Sequence, residues 1–346
     1  MPLEKELLKW YSFNKRDLPW RKDNDPYKVW VSEIILQQTR ITQGKKYFNN
    51  FIDKFPTIYD LANSDEDSVL KSWQGLGYYN RAINLHKTAK FIVNDLGGNF
   101  PTTYDQLIKL KGIGDYTASA ISSICFDRYH PVVDGNVLRF ISRIYGNKIP
   151  VDSTQGKKKV KEFANKLIHK TKTPGDFNQA LMEYGALLCT PFPDCQLCIF
   201  NSKCVAFKNN RVDLIPIKTQ KKKIRNRYFN YLVFKDNDGK TFVNQRTEKD
   251  IWYKLYQFPL IEQDALVDDI TSSSDFSEYL VNNKLKITNS KHKIIRYKHI
   301  LSHQNLFIAF YLINLNTVIN DGHDISNLND FTFPVPISNF INKYLI

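Results

Sequence analysis

The sequence lacks any run of the ~18 consecutive apolar residues that a membrane span requires, and its charged start, MPLEKE, is not typical of a signal peptide. It also lacks internal repeats and low-complexity tracts. Hydrophobic residues make up 42% and aromatic residues 14%, which is enough for a folded core and excludes disorder over most of the length. The 346 residues correspond to about two domains. We therefore expect an intracellular protein without a membrane partner.

Negative charge is scarce, with 35 Asp and Glu against 49 Lys and Arg, so the net charge is +14. The excess is unevenly placed. From Arg225 onward, 14 basic residues nearly balance 13 acidic ones, so residues 1–224 carry a net charge of +13. A lysine-rich genome would be expected to enrich both parts alike. The asymmetry therefore predicts that residues 1–224 bind an anionic partner, for which nucleic acid is the best candidate.

Cysteine is also rare, and four of the five cysteines fall within sixteen residues, at Cys189, Cys195, Cys198 and Cys204. An intracellular chain seldom keeps disulfides, so this cluster predicts a metal site. Zinc and a [4Fe–4S] cluster both accept four cysteines. Only one C-x2-C pair is present, whereas structural zinc sites usually have two, so the spacing favours iron–sulfur without excluding zinc. Cys125 stands apart and is expected to be a small buried hydrophobe.

Residues 1–204 carry apolar residues at helical spacing with short Gly and Pro interruptions, which predicts a packed all-α domain. The predicted helices are 4–13, 27–42, 65–74, 80–96, 103–110, 115–123, 137–145 and 156–170. Residues 205–227 contain an Ile-Pro-Ile segment and then Lys218, Lys221, Lys222, Lys223, Arg225 and Arg227, which predicts an exposed basic linker.

The period changes after the linker, and residues 228–346 are predicted to form an α/β domain. The predicted strands are 228–234, 241–245, 293–301 and 306–314, with a hairpin turn at 236–239 and a helix over 274–284. The fold class is therefore multidomain, an all-α domain followed by an α/β domain.

A glycine pair and an aspartate lie between the predicted helices. Gly112 and Gly114 flank one aliphatic residue within a helix-hairpin-helix pattern over about 105–124. The N–H groups of such a turn bind a phosphate oxygen without reading base sequence, although G-x-G also occurs in ordinary helix–helix turns. Asp134 precedes a predicted helix, where a role as N-cap is the simplest interpretation.

Five longer segments accompany these features: LPWR (18–21), WVSEIILQQT (30–39), WQGLGYYNRA (73–82), VVDGNVLR (132–139) and FNQALME (177–183). With them the chain resembles the helix-hairpin-helix DNA glycosylase superfamily with an iron–sulfur loop, and within it the adenine DNA glycosylases of the MutY family. The resemblance is close over 1–204. It is thinner afterwards, where WYKLYQFP (252–259) and HILSH (299–303) resemble the family's MutT (Nudix)-like domain without its Glu-rich metal-binding box.

This resemblance implies that adenine mispaired with 8-oxoguanine or guanine is flipped out of duplex DNA and excised by hydrolysis of its N-glycosidic bond. Glu33 matches the general acid that protonates adenine at N7. Asp134 matches the carboxylate that stabilises positive charge on the sugar. Because Trp30 shares a helix face with Glu33, we expect an apolar setting that raises the pKa of Glu33, whereas the helix N-terminus should depress the pKa of Asp134. Without the motif, Glu33 would be an ordinary surface carboxylate.

Other roles follow from the same resemblance. Tyr116 and Asn136 match polar residues that position water, the aspartate and the sugar. Tyrosine stands where strand-cutting relatives have a lysine, which implies a monofunctional glycosylase that leaves an abasic site. The implied contacts with the opposing base are wedges formed by Gln38, Thr39, Leu76 and Tyr78, of which Leu76 and Tyr78 are expected to be exposed. The other implied contacts are Arg21 and Gln179 in the adenine pocket, Gly112 and Gly114 on phosphate, Ser302 on 8-oxoguanine, and Cys189, Cys195, Cys198 and Cys204 on a [4Fe–4S] cluster.

We therefore expect three regions: a glycosylase domain over 1–204 with a cluster loop at 189–204, a basic linker over 205–227, and a MutT-like lesion-recognition domain over 228–346. The expected partner is double-stranded DNA, bound by a monomer at the nucleoid in a bacterial cytoplasm. Two other functions stay open at this stage. One is a bifunctional enzyme for oxidised pyrimidines similar to endonuclease III, and the other is a non-catalytic lesion-binding or redox-sensing iron–sulfur protein.

Overall fold

The computed structural model describes residues 1–219, 224–265, 267–287 and 292–346. They form two compact units, one of Met1–Ser64 with Ile83–Gln220 and one of Asp65–Ala82 with Lys221–Ile346. Part of the predicted basic linker, Lys221 to Lys223, lies outside the described residues. The predicted domain limits stay a prediction. In the described part of the chain, no helix combines the length and apolar character needed to cross a bilayer.

The helices up to residue 208 are, in chain order, α1 (Leu3–Asn14), α2 (Pro26–Leu36), α3 (Ile41–Lys54), α4 (Ile58–Asn63), α5 (Glu66–Ser72), α6 (Asn80–Leu96), α7 (Tyr104–Leu107), α8 (Asp115–Phe126), α9 (Gly135–Tyr145), α10 (Thr154–Ile168), α11 (Pro174–Leu187) and α12 (Val205–Lys208). Polar N-caps begin several of them. Asp25 caps α2 just before Pro26, and Ser153 caps α10. The predicted all-α character is confirmed.

The predicted bounds of one helix are wrong. The segment 27–42 forms two helices, because α2 ends at Leu36 and α3 begins at Ile41. Between them Gln38 has a φ of 57°, which is left-handed and cannot continue a helix. Helix α7 is also shorter than the predicted 103–110.

The core of the first unit lies where α11 packs against α1, α8 and α9. Leu181 and Tyr184 of α11 are fully buried there with Phe140 of α9. At Gly185 a Cβ would lie 2.8 Å from the Asn136 carbonyl oxygen. Only glycine therefore allows α11 to approach the start of α9 so closely, and this contact brings the two helices to one site.

The second unit contains the strands β1 (Arg225–Lys235), β2 (Lys240–Thr241), β3 (Asn244–Gln245), β4 (Tyr256–Gln257), β5 (Leu260–Gln263), β6 (Lys293–Ile300), β7 (Gln304–Asn314) and β8 (His323–Asp324), and the helices α13 (Ser274–Asn282) and α14 (Val335–Tyr344). The main sheet has the order β5-β1-β7-β6, with β1 and β7 parallel and the other pairs antiparallel. One face packs on α14 and the other on α13. The predicted α/β class is confirmed.

Three details differ from the prediction. The predicted strand 241–245 is split between β2 and β3, and β2 pairs with β8 rather than continuing a hairpin with β1. Arg227 is not an exposed linker residue. It is 8% exposed within β1 and forms ion pairs with Asp250 and Glu262 at 2.7 and 2.6 Å. Ile215, in the same predicted linker, is buried against the first unit's core.

Candidate active site

A cavity of about 180 Å³ in the first unit is lined by α2, α8, α11 and the start of α9. It brings together all of the predicted catalytic and adenine-pocket residues, and the predicted wedge residue Thr39 also lines it. The six residues are Arg21, Glu33, Tyr116, Asp134, Asn136 and Gln179. Its apolar wall includes Leu18, Trp20 and Val29. Trp30 is not among the described residues that line the cavity. Its ring packs edge-on against Phe100 instead.

Glu33 projects from α2 into this cavity and is only 7% exposed. Burial raises the pKa of its carboxyl to about 7, against the lowering influence of Tyr116 and Arg21, while nearby Asp134 raises it further. The predicted direction is therefore confirmed, with burial as the main cause. A carboxyl with this pKa holds its proton in about half of the molecules at neutral pH and suits general acid chemistry.

Asp134 is the N-cap of α9. Its carboxylate accepts hydrogen bonds from the Val137 N–H at 2.7 Å and from Asn136 Nδ2 at 2.9 Å. The prediction of a depressed pKa is wrong, because burial raises the pKa of Asp134 and these donors offset only part of the rise. The capping geometry fixes the carboxylate at the cavity beside Glu33.

Tyr116 lies in the first turn of α8 and faces the same cavity. Its hydroxyl donates to Met182 Sδ at 3.2 Å. Burial raises the pKa of Tyr116 well above its ordinary range, so the phenol stays neutral. The described cavity lining contains no lysine, so it presents no amine nucleophile.

One acidic residue in the cavity wall, Glu183, was not among the predicted site residues. Glu183 of α11 is 1% exposed and accepts from Arg16 Nε at 2.7 Å and from Arg21 Nη2 at 2.9 Å. Hydrogen bonds from these arginines outweigh burial and lower the pKa of Glu183 to about 2. The signal was present in the sequence, since Glu183 stands four residues after Gln179 and therefore on the same helix face.

A hydrogen-bonded relay joins Asp134 to the cysteine-rich loop. Asn136, which donates to Asp134, accepts from Arg139 Nη2 at 2.8 Å. Arg139 Nε in turn donates to the backbone oxygen of Cys189 at 2.6 Å. The conformation of the loop is thus mechanically connected to the carboxylate in the cavity.

Cys189, Cys195, Cys198 and Cys204 line one further cavity of the first unit. Arg143 Nη1 lies 3.6 Å from Cys189 Sγ. No three His, Cys, Asp or Glu side chains in the described ranges are placed to hold a single metal ion. A tetrahedral zinc site needs four sulfurs converging on one point at ~2.3 Å, whereas an iron–sulfur cluster offers a separate iron to each cysteine. Four cysteine sulfurs on one cavity are a donor set that either an iron–sulfur cluster or a zinc ion accepts. Cys125 lies apart in α8.

The hairpin between α7 and α8 exposes both predicted glycines. Gly112 has a φ of +80°, and a Cβ there would lie 2.7 Å from Asn84 Cβ, so both backbone and packing require glycine. At Gly114 the φ is −93°, and a Cβ would meet no described atom within 4 Å. Packing does not explain the second glycine. Its effect is to leave the backbone at the start of α8 uncovered.

The predicted lesion-contact residues are distributed over both units. Gln38 is exposed in the turn after α2, in the first unit. In the second unit Tyr78 is 45% exposed and donates its hydroxyl to Ser302 Oγ at 2.9 Å. Leu76 was expected to be exposed, but this is wrong, since its exposed fraction is 9%.

Comparisons with known proteins agree with this arrangement. Residues 31–170 match the model of the HhH-GPD superfamily base excision DNA repair proteins, and residues 230–343 match the NUDIX domain model. The fold and site thus define a base excision repair DNA glycosylase of the helix-hairpin-helix class followed by a Nudix domain.

Individual relatives narrow the class. The adenine DNA glycosylase of Buchnera aphidicola subsp. Schizaphis graminum is 37% identical over 98% of this chain and 97% of its own length. That of Buchnera aphidicola subsp. Baizongia pistaciae is 35% identical over 97% and 95%. A solved thermostable thymine-DNA glycosylase is 29% identical with a TM-score of 0.55, over 60% of this chain and 95% of that one. The chain belongs to the adenine DNA glycosylase family.

Proposed function

We propose that this protein excises adenine paired with 8-oxoguanine or guanine from duplex DNA by hydrolysis and leaves an abasic site with the strand intact. The observation that carries the proposal is the pair of carboxyls in one cavity. Burial raises the pKa of Glu33 to about 7, which suits an acid, and hydrogen bonds from Val137 and Asn136 hold the carboxylate of Asp134. An adenine inside a duplex is stacked, so the reaction begins with its extrusion into this cavity.

In the proposed mechanism Glu33 gives its proton to adenine N7, which makes the base a better leaving group. Asp134 faces the developing positive charge on the sugar and stabilises it as an anion. A water molecule then adds to the anomeric carbon and loses a proton, which gives the abasic sugar and free adenine. Asn136 holds Asp134 through its side-chain amide. Arg21 and Gln179 contact the extruded base, and Glu183 holds Arg21 in place.

The monofunctional outcome rests on the cavity wall. A lyase reaction needs an amine to form a Schiff base with the sugar, and Tyr116 occupies the position at which the strand-cutting relatives carry lysine. Borohydride should therefore trap no enzyme–DNA adduct, and strands should break only after alkali. A trapped adduct with spontaneous nicking would favour the bifunctional alternative.

For recognition of the opposing base we propose residues in each unit, taken separately. Gln38 and Thr39 contribute from the turn after α2. Tyr78 and Ser302 share a hydrogen bond in the second unit and offer an aromatic ring next to a hydroxyl. We propose that Ser302 contacts 8-oxoguanine, with Leu76 emerging from its buried position only when DNA is bound.

The four-cysteine cavity would hold a [4Fe–4S] cluster through Cys189, Cys195, Cys198 and Cys204. When bound, such a cluster would order the loop 189–204, and Arg139 connects this loop to Asn136, which holds Asp134. Purified protein should show a broad visible absorbance and contain iron and acid-labile sulfide. Zinc in place of iron would contradict the assignment.

The decisive experiment is a single-turnover assay on a duplex with adenine opposite 8-oxoguanine, developed with alkali. Adenine release is expected there and opposite guanine, and not from adenine paired with thymine. No release from either mispair, with binding retained, would favour the lesion-binding alternative. We further propose that the protein acts as a monomer on the bacterial chromosome.

A further inference from the structure

Next to the hairpin, and outside the active-site cavity, side chains from two helices meet on the carboxylate of Asp115. Asp115 is the first residue of α8 and directly follows Gly114, so its carboxylate lies at the same helix N-terminus as the hairpin amides. Tyr104 donates its hydroxyl to Asp115 Oδ1 at 2.6 Å. Lys161 Nζ, from α10, forms an ion pair with the same oxygen.

A carboxylate at this position competes with a phosphate ligand. The positive end of a helix attracts either an acidic side chain or a phosphate, so an uncompensated Asp115 would repel the phosphate that the hairpin is built to accept. Burial would raise the pKa of Asp115, but hydrogen bonds from Lys161 and Tyr104 outweigh it and lower the pKa. Asp115 is therefore ionised at neutral pH, and its charge must be cancelled by a cation.

Lys161 is suited to this task. Its side chain is 40% exposed, so the ammonium group faces both Asp115 and the surrounding solvent. It also lies 5.7 Å from the ring centroid of Tyr104. That ring is itself stacked on His130, with centroids 4.6 Å apart, which restricts its position. The arrangement holds one positive and one negative charge beside the hairpin in a defined geometry.

We propose that Lys161 is a positioning residue for DNA binding: it neutralises Asp115, so that the backbone N–H groups of Gly112 and Gly114 can donate hydrogen bonds to a phosphate of the DNA backbone. The inference rests on the proposed function, in which the hairpin contacts duplex DNA. The ligand it names is a backbone phosphate of any sequence, because amide and ammonium donors do not read bases.

The test is fluorescence anisotropy of the full chain with a labelled undamaged duplex over a range of salt concentrations. Lys161→Gln should weaken binding by about tenfold, because one cation is lost and one anion is exposed next to a phosphate. Lys159→Gln is the matched control. Lys159 carries the same charge on α10 but pairs with Glu162 at 3.6 Å and not with Asp115, so its change should stay within about twofold.

The Asp115→Asn/Lys161→Gln double variant distinguishes two roles for Lys161, neutralisation of Asp115 and direct contact with a phosphate. If Lys161 acts through Asp115, removing both charges should restore affinity to within about threefold of the wild type. Lys161→Arg, which keeps the cation, should bind like the wild type. A double variant as weak as Lys161→Gln, or a Lys161→Gln variant that behaves like Lys159→Gln, would overturn the proposal.

The result of this binding test does not depend on whether the protein excises adenine. Thermal unfolding of each variant reports any loss of fold, and single-turnover excision at saturating DNA should be unchanged in the control variant Lys159→Gln. A wild type that binds duplex DNA but releases no adenine would overturn the proposed function and leave the binding comparison intact.

Discussion

Replacing Glu33 by glutamine tests the proposed acid directly. The substitution keeps the size of the side chain and removes the proton that would be given to adenine. General acid catalysis typically contributes 10²–10⁴-fold, so single-turnover excision by Glu33→Gln should fall by about that factor while affinity for the mispaired duplex is retained. In the wild type the rate should decline as pH rises through about 7, because the protonated form of Glu33 is lost there.

The same substitution has a consequence for stability. The pKa of Glu33 is about 7 in the folded chain against an ordinary 4.5. Between these two pH values the folded state holds a proton that the unfolded state does not. The contribution of Glu33 to the free energy of unfolding is therefore fully present below pH 4.5 and is lost as the pH rises towards 7. At 1.36 kcal/mol per pKa unit, the free energy of unfolding of Glu33→Gln should exceed that of the wild type by about 3 kcal/mol above pH 7.

The measurement is urea unfolding of both proteins at several pH values from 4 to 8, together with excision rates. Glu162→Gln serves as control, since Glu162 is an exposed carboxylate on α10. A stability difference independent of pH would refute the raised pKa. Retained excision by Glu33→Gln, with a pH-dependent stability gain, would refute the acid role alone.

Three further changes follow from the structure. Asp134→Asn should abolish excision in a single-turnover assay. Its free energy of unfolding should stay within about 1 kcal/mol of the wild type, because asparagine also caps helices. Glu183→Gln should destabilise the protein by about 1–3 kcal/mol at neutral pH by weakening its bonds to Arg21 and Arg16. Since the pKa of Glu183 is about 2, that contribution should disappear as pH falls from 4.5 towards 2, which urea unfolding will detect. Gly114→Ala should keep its melting temperature and weaken duplex binding by about tenfold, since the new methyl group meets no described atom but covers the amides of the hairpin.

Each has an outcome that contradicts it. Excision by Asp134→Asn at the wild-type rate would remove that carboxylate from the mechanism. An unchanged acid-unfolding profile in Glu183→Gln would mean that the arginine contacts add nothing to stability. For Gly114→Ala, normal DNA affinity would place the phosphate elsewhere, and Gly112→Ala provides the contrast, because it should lower the melting temperature as well.

Local patterns determined much of the architecture. Apolar spacing predicts α1, α6 and α9 to within a few residues. At α9 the capping Asp134 also marks the start of the helix, because its side chain supplies a short-range hydrogen bond there. The change to short runs of β-branched and aromatic residues likewise predicts β1 and β7. Helices α3 and α11 were not predicted. The sequence of α3 does carry an amphipathic pattern, whereas α11 is buried on most of its surface and so has no one-sided pattern.

The sequence by itself determined that a buried acid, a capping aspartate and a cysteine cluster belong to one helical chain, since those motifs are contiguous and carry their chemistry in their residue types. Tertiary structure alone decided the charge states. The pKa of Asp134 is raised rather than depressed because desolvation depends on the atoms that surround a carboxyl from distant helices. It also decided the pairing of Lys161 with Asp115, 46 positions apart, and of Glu183 with Arg16 and Arg21. Such contacts leave no local pattern, because side chains meet through packing and not through spacing along the chain.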